Sequence, residues 1–185
     1  MKYISIDIET LGLDPSLHSV IEVGAVIEDT EKKLSYEDIP KYNVLLKHDA
    51  YIAQTFPMVM HHELLKEYDS KTPSMKIIYF DLFSKDFAYW LSSNGINISK
   101  PINIAGKNVA SFDLPFLKNL PEFTETFKIK QRILDPAILY FDPSIDKDGL
   151  PNLEDCKKRA GLHGTVAHTA LADAWDVVEL IRNKF

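Results

Sequence analysis

Cysteine is nearly missing from this chain: Cys156 is the one thiol in 185 residues. No intrachain disulfide can form, and a reducing, cytoplasmic setting is expected. Long apolar runs are missing too. No stretch approaches the ~20 residues that cross a bilayer, and the amino terminus carries no secretory apolar core, so no membrane role is expected. Positive charge is in deficit, with 21 Lys and Arg against 27 Asp and Glu, a net charge of −6. A protein that coats duplex DNA through many phosphates is usually basic, because those contacts release counterions. That class is disfavoured. Any nucleic acid handled here is expected to be held over a few nucleotides, with bound metal ions supplying positive charge. Repeats, low-complexity tracts and long linkers are absent as well. With 45% hydrophobic residues, residues 1–185 read as one domain long enough to close a full core.

What is present alternates. From Tyr3 to Glu9, Ile4, Ile6 and Ile8 point one way while Ser5, Asp7 and Glu9 point the other, the period of a strand. Two carboxylates on one face of a strand repel each other and are costly to bury uncompensated. Either they face water or a cation sits between them. A turn with Gly12, Asp14 and Pro15 leads into VIEVGAVI (20–27) and then YNVLLK (42–47), read as second and third strands. The short link between the first two favours a hairpin. The stretch from about Ser74 to Ser92 reads as a helix, with Ile77, Ile78, Leu82, Phe87 and Leu91 in a stripe and Asp81 as a polar intruder. INIAGKN reads as a fourth strand, SFDLPFLKNL as a helix with Pro115 near its start, and RILDPAILYF as a fifth strand ending near Asp135. Asn152 caps a helix from Leu153 to about Ala160, stopped by Gly161. A last helix begins near Thr169, with Leu171, Ala174, Val178 and Ile181 as its buried stripe. The pattern predicts a mixed α/β sheet with helices on both faces.

Three more polar positions stand out. Asp113 follows the fourth strand, where α/β sheets tend to place functional groups. His168 and Asp173 flank the entry to the last helix. Five residues apart on one continuous helix they would diverge by about 140°. They converge more easily with His168 on the preceding loop and Asp173 in an early turn. Taken singly each has a plain structural explanation, such as an acid complementing a helix dipole. Together they form an ordered set: D-x-E on strand one, F-D after strand four, and H-x4-D at the last helix.

That set, Asp7, Glu9, Asp113, His168 and Asp173, resembles the DEDDh branch of the DnaQ-like 3′–5′ exonucleases. The similarity runs through SIDIETLGLD, VIEVGAVI, GKNVASFDLPFL and HTALADAWDVVELI, nearly the whole chain. The branch ending in tyrosine would need that residue where Thr169 stands, so the histidine branch fits. The resemblance implies an RNase H-like fold with a central five-stranded mixed sheet, strand two antiparallel to the rest. It implies Asp7, Glu9, Asp113 and Asp173 as an oxygen cage for two divalent ions, Mg²⁺ or Mn²⁺. His168 would act as general base for the attacking water, a task its unperturbed pKa of about 6.5 suits. Single-stranded RNA or DNA 3′ ends or short oligonucleotides would be the substrates, and nucleoside 5′-monophosphates the products. By the same resemblance Thr10, Leu11 and Gly12 cradle the terminal nucleotide, Met60 and His61 hold its base, and Asn108 and Phe112 lie near the substrate. A core role for Phe112 and a loop-capping role for Asn108 are the competing assignments. Lys107 departs from the histidine common in relatives. Relatives are often homodimers, and a proofreading subunit docked on a polymerase, or a silent binding module of the same fold, are the alternatives.

Two rival signals fail on inspection. His62-Glu63 opens like a zincin motif, but HELLK lacks the second histidine. Asp146, Asp148 and Gly149 echo a calcium loop, yet Ser144 holds its first position and Asp155 its twelfth. DPSIDKDGLP is more simply an exposed polar turn.

Overall fold

The computed structural model of the chain describes residues 1–162 and 169–185. Three strands come first: β1 (Lys2–Thr10), β2 (Val20–Asp29) and β3 (Lys41–Lys47). β1 and β2 form the expected hairpin, with Ile4 opposite Ile27, Ile6 opposite Ala25 and Ile8 opposite Val23. Because side chains alternate across a strand, this register gathers all six apolar residues on one face. Two short helices follow, α1 (Thr55–Met60) and α2 (His62–Glu67). Next come β4 (Lys76–Tyr79), one 3₁₀ turn (Phe80–Leu82) and α3 (Phe83–Ser93). β5 (Ile104–Ala105) leads to α4 (Asp113–Lys118) and α5 (Phe123–Thr126). The chain then forms α6 (Pro136–Leu139), α7 (Leu153–Ala160) and α8 (Ala170–Lys184).

The sheet runs β4-β3-β2-β1-β5. β2 is antiparallel to β1 and β3, while β4 is parallel to β3 and β5 parallel to β1. Strand two therefore runs against all the others, as expected. Two strand assignments change. The stretch from Ser74 does not begin as helix: the Lys76–Tyr79 segment pairs with the free edge of β3, from Val44–Lys76 to Lys47–Tyr79. Its consecutive Ile77 and Ile78 suit a strand better than a first helical turn. The fifth strand expected near Asp135 shrinks to a single bridge between Leu134 and Ala105. Pro136 has no N–H to extend a ladder, and Asp135 instead caps α6 by accepting from the Ala137 amide at 2.8 Å.

Helices cover both faces. Phe83, Phe87 and Leu91 of α3 and Phe116 and Leu117 of α4 pack over Ile4, Ile6, Ile8, Val23 and Ala25. On the opposite face Ala174, Val177, Val178 and Ile181 of α8 cover Tyr3 and Val26. α7 begins where Asn152 accepts from the Asp155 amide at 2.8 Å and ends at Gly161, whose φ of +70° is left-handed. It is tied to α8 by a buried ion pair, Lys157 to Asp176 at 2.6 Å. Among the described residues no helix is long and apolar enough to cross a membrane.

Candidate active site

The hairpin register decides what surrounds the two acids of β1. Asp7 lies opposite Gly24 and Glu9 opposite Glu22, on the face turned towards α8. Gly24 has no side chain to fill the space, and the first turn of α8 occupies it. A Cβ at position 24 would overlap the Ala170 carbonyl carbon and the Leu171 amide nitrogen. Asp173 sits in that same turn, its amide donating to the Thr169 carbonyl at 3.0 Å. One oxygen each from Asp7, Glu9 and Asp173 all lie within 4.8 Å of one another.

Asp113 arrives from the other side. β5 pairs with β1 only at Ile4 and Ser5, so the amide edge of β1 beyond is open. The Ile8 N–H, between the two acids, donates to Asp113 Oδ1 at 3.1 Å. As first residue of α4, Asp113 is just 3% exposed, and it joins the cluster through β1 backbone rather than through the three-oxygen set.

Burial and crowding push these carboxyls towards their protonated forms. Asp7 is raised well above the ordinary carboxyl range, first by desolvation and then by Asp113, Glu9, Asp173 and Glu22. Glu9 rises to about 8, by burial and by Glu22, Asp173 and Asp113. Asp113 rises to about 7, chiefly by burial, with the Ile8 amide pulling the other way. Oxygen donors held this way are the kind a hard divalent cation relieves.

The remaining expected residues divide. Thr10 donates to the Gly12 carbonyl at 2.7 Å, and Gly12 lies tight against the His18 ring. Leu11 is fully buried, its amide donating to Ser19 and its carbonyl accepting from Gln54. Its side chain is core, so only its backbone is placed at the turn. His61 is 3% exposed and sits on Glu9, with Nε2 to Oε2 at 3.3 Å. Met60, beside it, is 44% exposed. Helix α1 buries none of its residues although Phe56, Met58, Val59 and Met60 are apolar. Asn108 is exposed with a left-handed φ of +57°. Its amide donates to Asp135 at 2.9 Å and its carbonyl accepts from Ser111 and Phe112, a turn-forming role. Phe112 is half-buried against Phe116, ring centroids 5.1 Å apart. His168 lies outside the described residues. The calcium-like turn is otherwise employed: both Asp146 oxygens accept from the Arg159 guanidinium, at 2.6 and 2.7 Å.

The exonuclease family pattern matches residues 4–181, almost the entire chain. This chain belongs to the exonuclease family. Its fold is that of the RNase H-like, DEDDh-type 3′–5′ exonuclease superfamily. A structure of exonuclease I, described in connection with processivity, superposes at TM-score 0.67 and 20% identity over 98% of this chain and 40% of that one. E. coli exonuclease I with a dT13 oligonucleotide matches at TM-score 0.64 and 18% identity, over 98% and 40%. A zinc-bound E. coli exonuclease I–ssDNA complex matches at 0.66 and 18%, over 98% and 39%. The chain thus spans about two fifths of those proteins. No curated protein matches it.

Two contacts around the acidic cluster emerge only in three dimensions. Glu22 is fully buried and accepts from the Ala170 amide at 3.2 Å. Its signal in the sequence is an acid interrupting VIEVGAVI, in register with Glu9 once the hairpin is drawn. The His61–Glu9 contact has no such signal, because it joins the residue between α1 and α2 to a strand 52 residues earlier.

Proposed function

We propose that residues 1–185 form one catalytic domain, a metal-dependent 3′–5′ exonuclease acting on single-stranded RNA or DNA ends or short oligonucleotides. The observation that carries this reading is the meeting of Asp7, Glu9 and Asp173 oxygens within 4.8 Å, inside a chain of the exonuclease family. The net charge of −6 favours a grip on few phosphates.

Asp7, Glu9 and Asp173 would hold divalent ions, with Asp113 contributing from the far side of β1. Two such ions, Mg²⁺ or Mn²⁺, would stabilise charge on the attacking and leaving oxygens of an in-line displacement at phosphorus. The side chains do the rest. Asp113, bound to the Ile8 amide, keeps β1 fixed between the two acids. His61 turns Glu9 by its contact with Oε2. His168 takes the proton of the attacking water, and the Thr10–Gly12 turn with Met60 borders the terminal nucleotide. The products are nucleoside 5′-monophosphates.

The test is degradation of 5′-labelled single-stranded RNA and matched DNA with Mg²⁺, Mn²⁺ or EDTA, resolved at single-nucleotide steps. The expected result is a metal-dependent ladder shortening from the 3′ end. Asp7→Ala and Asp113→Ala should each lower turnover roughly a thousandfold, the several kcal/mol that metal-held charge stabilisation supplies. Absence of cleavage with either strand would overturn the reading in favour of a binding module. Full activity in either variant would overturn the site.

A further inference from the structure

Among the described residues, the first turn of α8 lacks the usual local cap. Thr169 stands at the N-cap with no side-chain capping hydrogen bond, although a free helix terminus leaves amides unsatisfied. The Ala170 amide is met instead by Glu22 Oε2 at 3.2 Å, from 148 residues earlier in the chain. Two positions along β2, Gly24 lies against the Ala170 and Leu171 backbone so closely that no Cβ fits. One residue thus holds the helix end by a hydrogen bond and the other receives it by having no side chain.

The place of this seat in the register matters. Gly24 is opposite Asp7 and Glu22 is opposite Glu9, so α8 is seated directly over the two acids of β1. Asp173 is three residues beyond Ala170. Any shift of that first turn moves the third carboxylate relative to the other two. An acid is a costly choice for a structural cap here. Glu22 is fully buried and feels the Asp173 charge, while the Ala170 amide and the nearby Asn43 side chain favour its ionised form. Its Oε1 meets no partner at hydrogen-bonding geometry among the described residues. The favourable field of a helix N-terminus offsets part of that cost.

We infer that Glu22 is a positioning residue: by accepting from the Ala170 amide over Gly24 it fixes the first turn of α8, and so fixes Asp173 against Asp7 and Glu9. This rests on the carboxylate cluster being the metal site proposed above. Glu22 lies outside the three-oxygen set of Asp7, Glu9 and Asp173 and acts through the helix.

The experiment is Mn²⁺ titration of the full chain, without substrate, followed by electron paramagnetic resonance. Wild type is compared with Glu22→Met, which keeps the bulk and removes the acceptor, and Glu22→Gln, which keeps an acceptor oxygen. Urea denaturation of each runs alongside. We expect Glu22→Met to bind Mn²⁺ about tenfold more weakly, the worth of one lost charge-assisted hydrogen bond. Glu22→Gln should stay within about threefold of wild type. In the degradation assay the Met variant should lose turnover with little change in KM. Unchanged Mn²⁺ affinity in a folded Met variant overturns the inference. So does a folded Gln variant as weak as the tenfold expectation for Met, a result that still counts if the Met variant fails to fold. A wild-type chain that binds no Mn²⁺ is a different result, since it removes the metal-site reading itself and the inference with it.

Discussion

Remove divalent metal and raise the pH, and this fold should weaken. Four carboxyls on and around β1 are held above their ordinary values. Glu9 moves from 4.5 to about 8, Glu22 from 4.5 to about 7 and Asp113 from 3.8 to about 7, and Asp7 moves strongly in the same direction. Desolvation is the first cause for each, with the neighbouring acids adding to it at Asp7, Glu9 and Glu22. Between pH 4.5 and 8 the folded chain therefore binds more protons than the unfolded one, and stability falls as pH rises. The contribution is complete below the unfolded values and lost on passing through the folded ones. At about 1.4 kcal/mol per pKa unit, Glu9 alone is worth about 5 kcal/mol. Protonating one member relieves the charge repulsion at the others but not their desolvation, so about 5 kcal/mol is the contribution of Glu9 alone and the cluster should cost at least that. Against a total of roughly 5–15 kcal/mol for a typical domain, that loss is large. Divalent cations favour the ionised forms and should flatten the dependence. The assay is urea denaturation at half-unit steps from about pH 5 to 8, in EDTA and again in Mn²⁺. Metal-free stability that is level or rises across that window would refute the reasoning. So would an identical slope with and without Mn²⁺.

Three further outcomes follow from named contacts. Asp7→Asn removes a carboxyl whose ionisation the fold opposes, so in EDTA at pH 8 it should be more stable than wild type even as it loses activity; equal or lower stability in the same denaturation series would contradict the crowding. Gly24→Ala drives a methyl into the α8 backbone and should cost about 3 kcal/mol, read as a shift in urea midpoint, whereas a neutral change would mean that the helix is not seated there. Lys157→Ala leaves Asp176 buried without its cation and should cost about 3–5 kcal/mol, while the double change Lys157→Met with Asp176→Leu should be near neutral. Equal losses in the single and double variants would remove that pair from the account.

How much of this was legible in the sequence depends on how local the signal is. The strict alternation from Tyr3 to Glu9 was enough to place both acids on one face, because a strand has period two whatever packs on it. The hairpin, the Asn152 cap and the Gly161 stop are equally local, and each lies where expected. β4 was not legible. Four residues, KIIY, become a strand because β3 offers an open edge, and no pattern within the segment announces that edge. The segment before Asp135 failed in the opposite sense: it has strand-like residues, but β5 is too short and Pro136 too close for more than one bridge. At the candidate site the four carboxylates could be picked out by their order along the chain. Their contacts could not: register alone sets Glu22 beside Glu9, and His61, expected from resemblance to hold the terminal base, reaches Glu9 only through the fold of the chain between them.

The order of these residues along the chain has a consequence for when the protein becomes dangerous. Two acids of the cluster lie in the first ten residues, and the third, Asp173, lies in the last helix. During synthesis, chains emerge from the ribosome amino terminus first. The hairpin that carries Asp7 and Glu9 can form early, but the helix that completes the set is made after every other element of the described fold, and its seat over Gly24 waits empty until then. For the nuclease proposed above, a chain that stops before Ala170 is an unarmed one. Within this domain the third carboxylate joins the other two only after Ala170–Lys184 has been made, so the topology itself holds the cluster open until α8 docks.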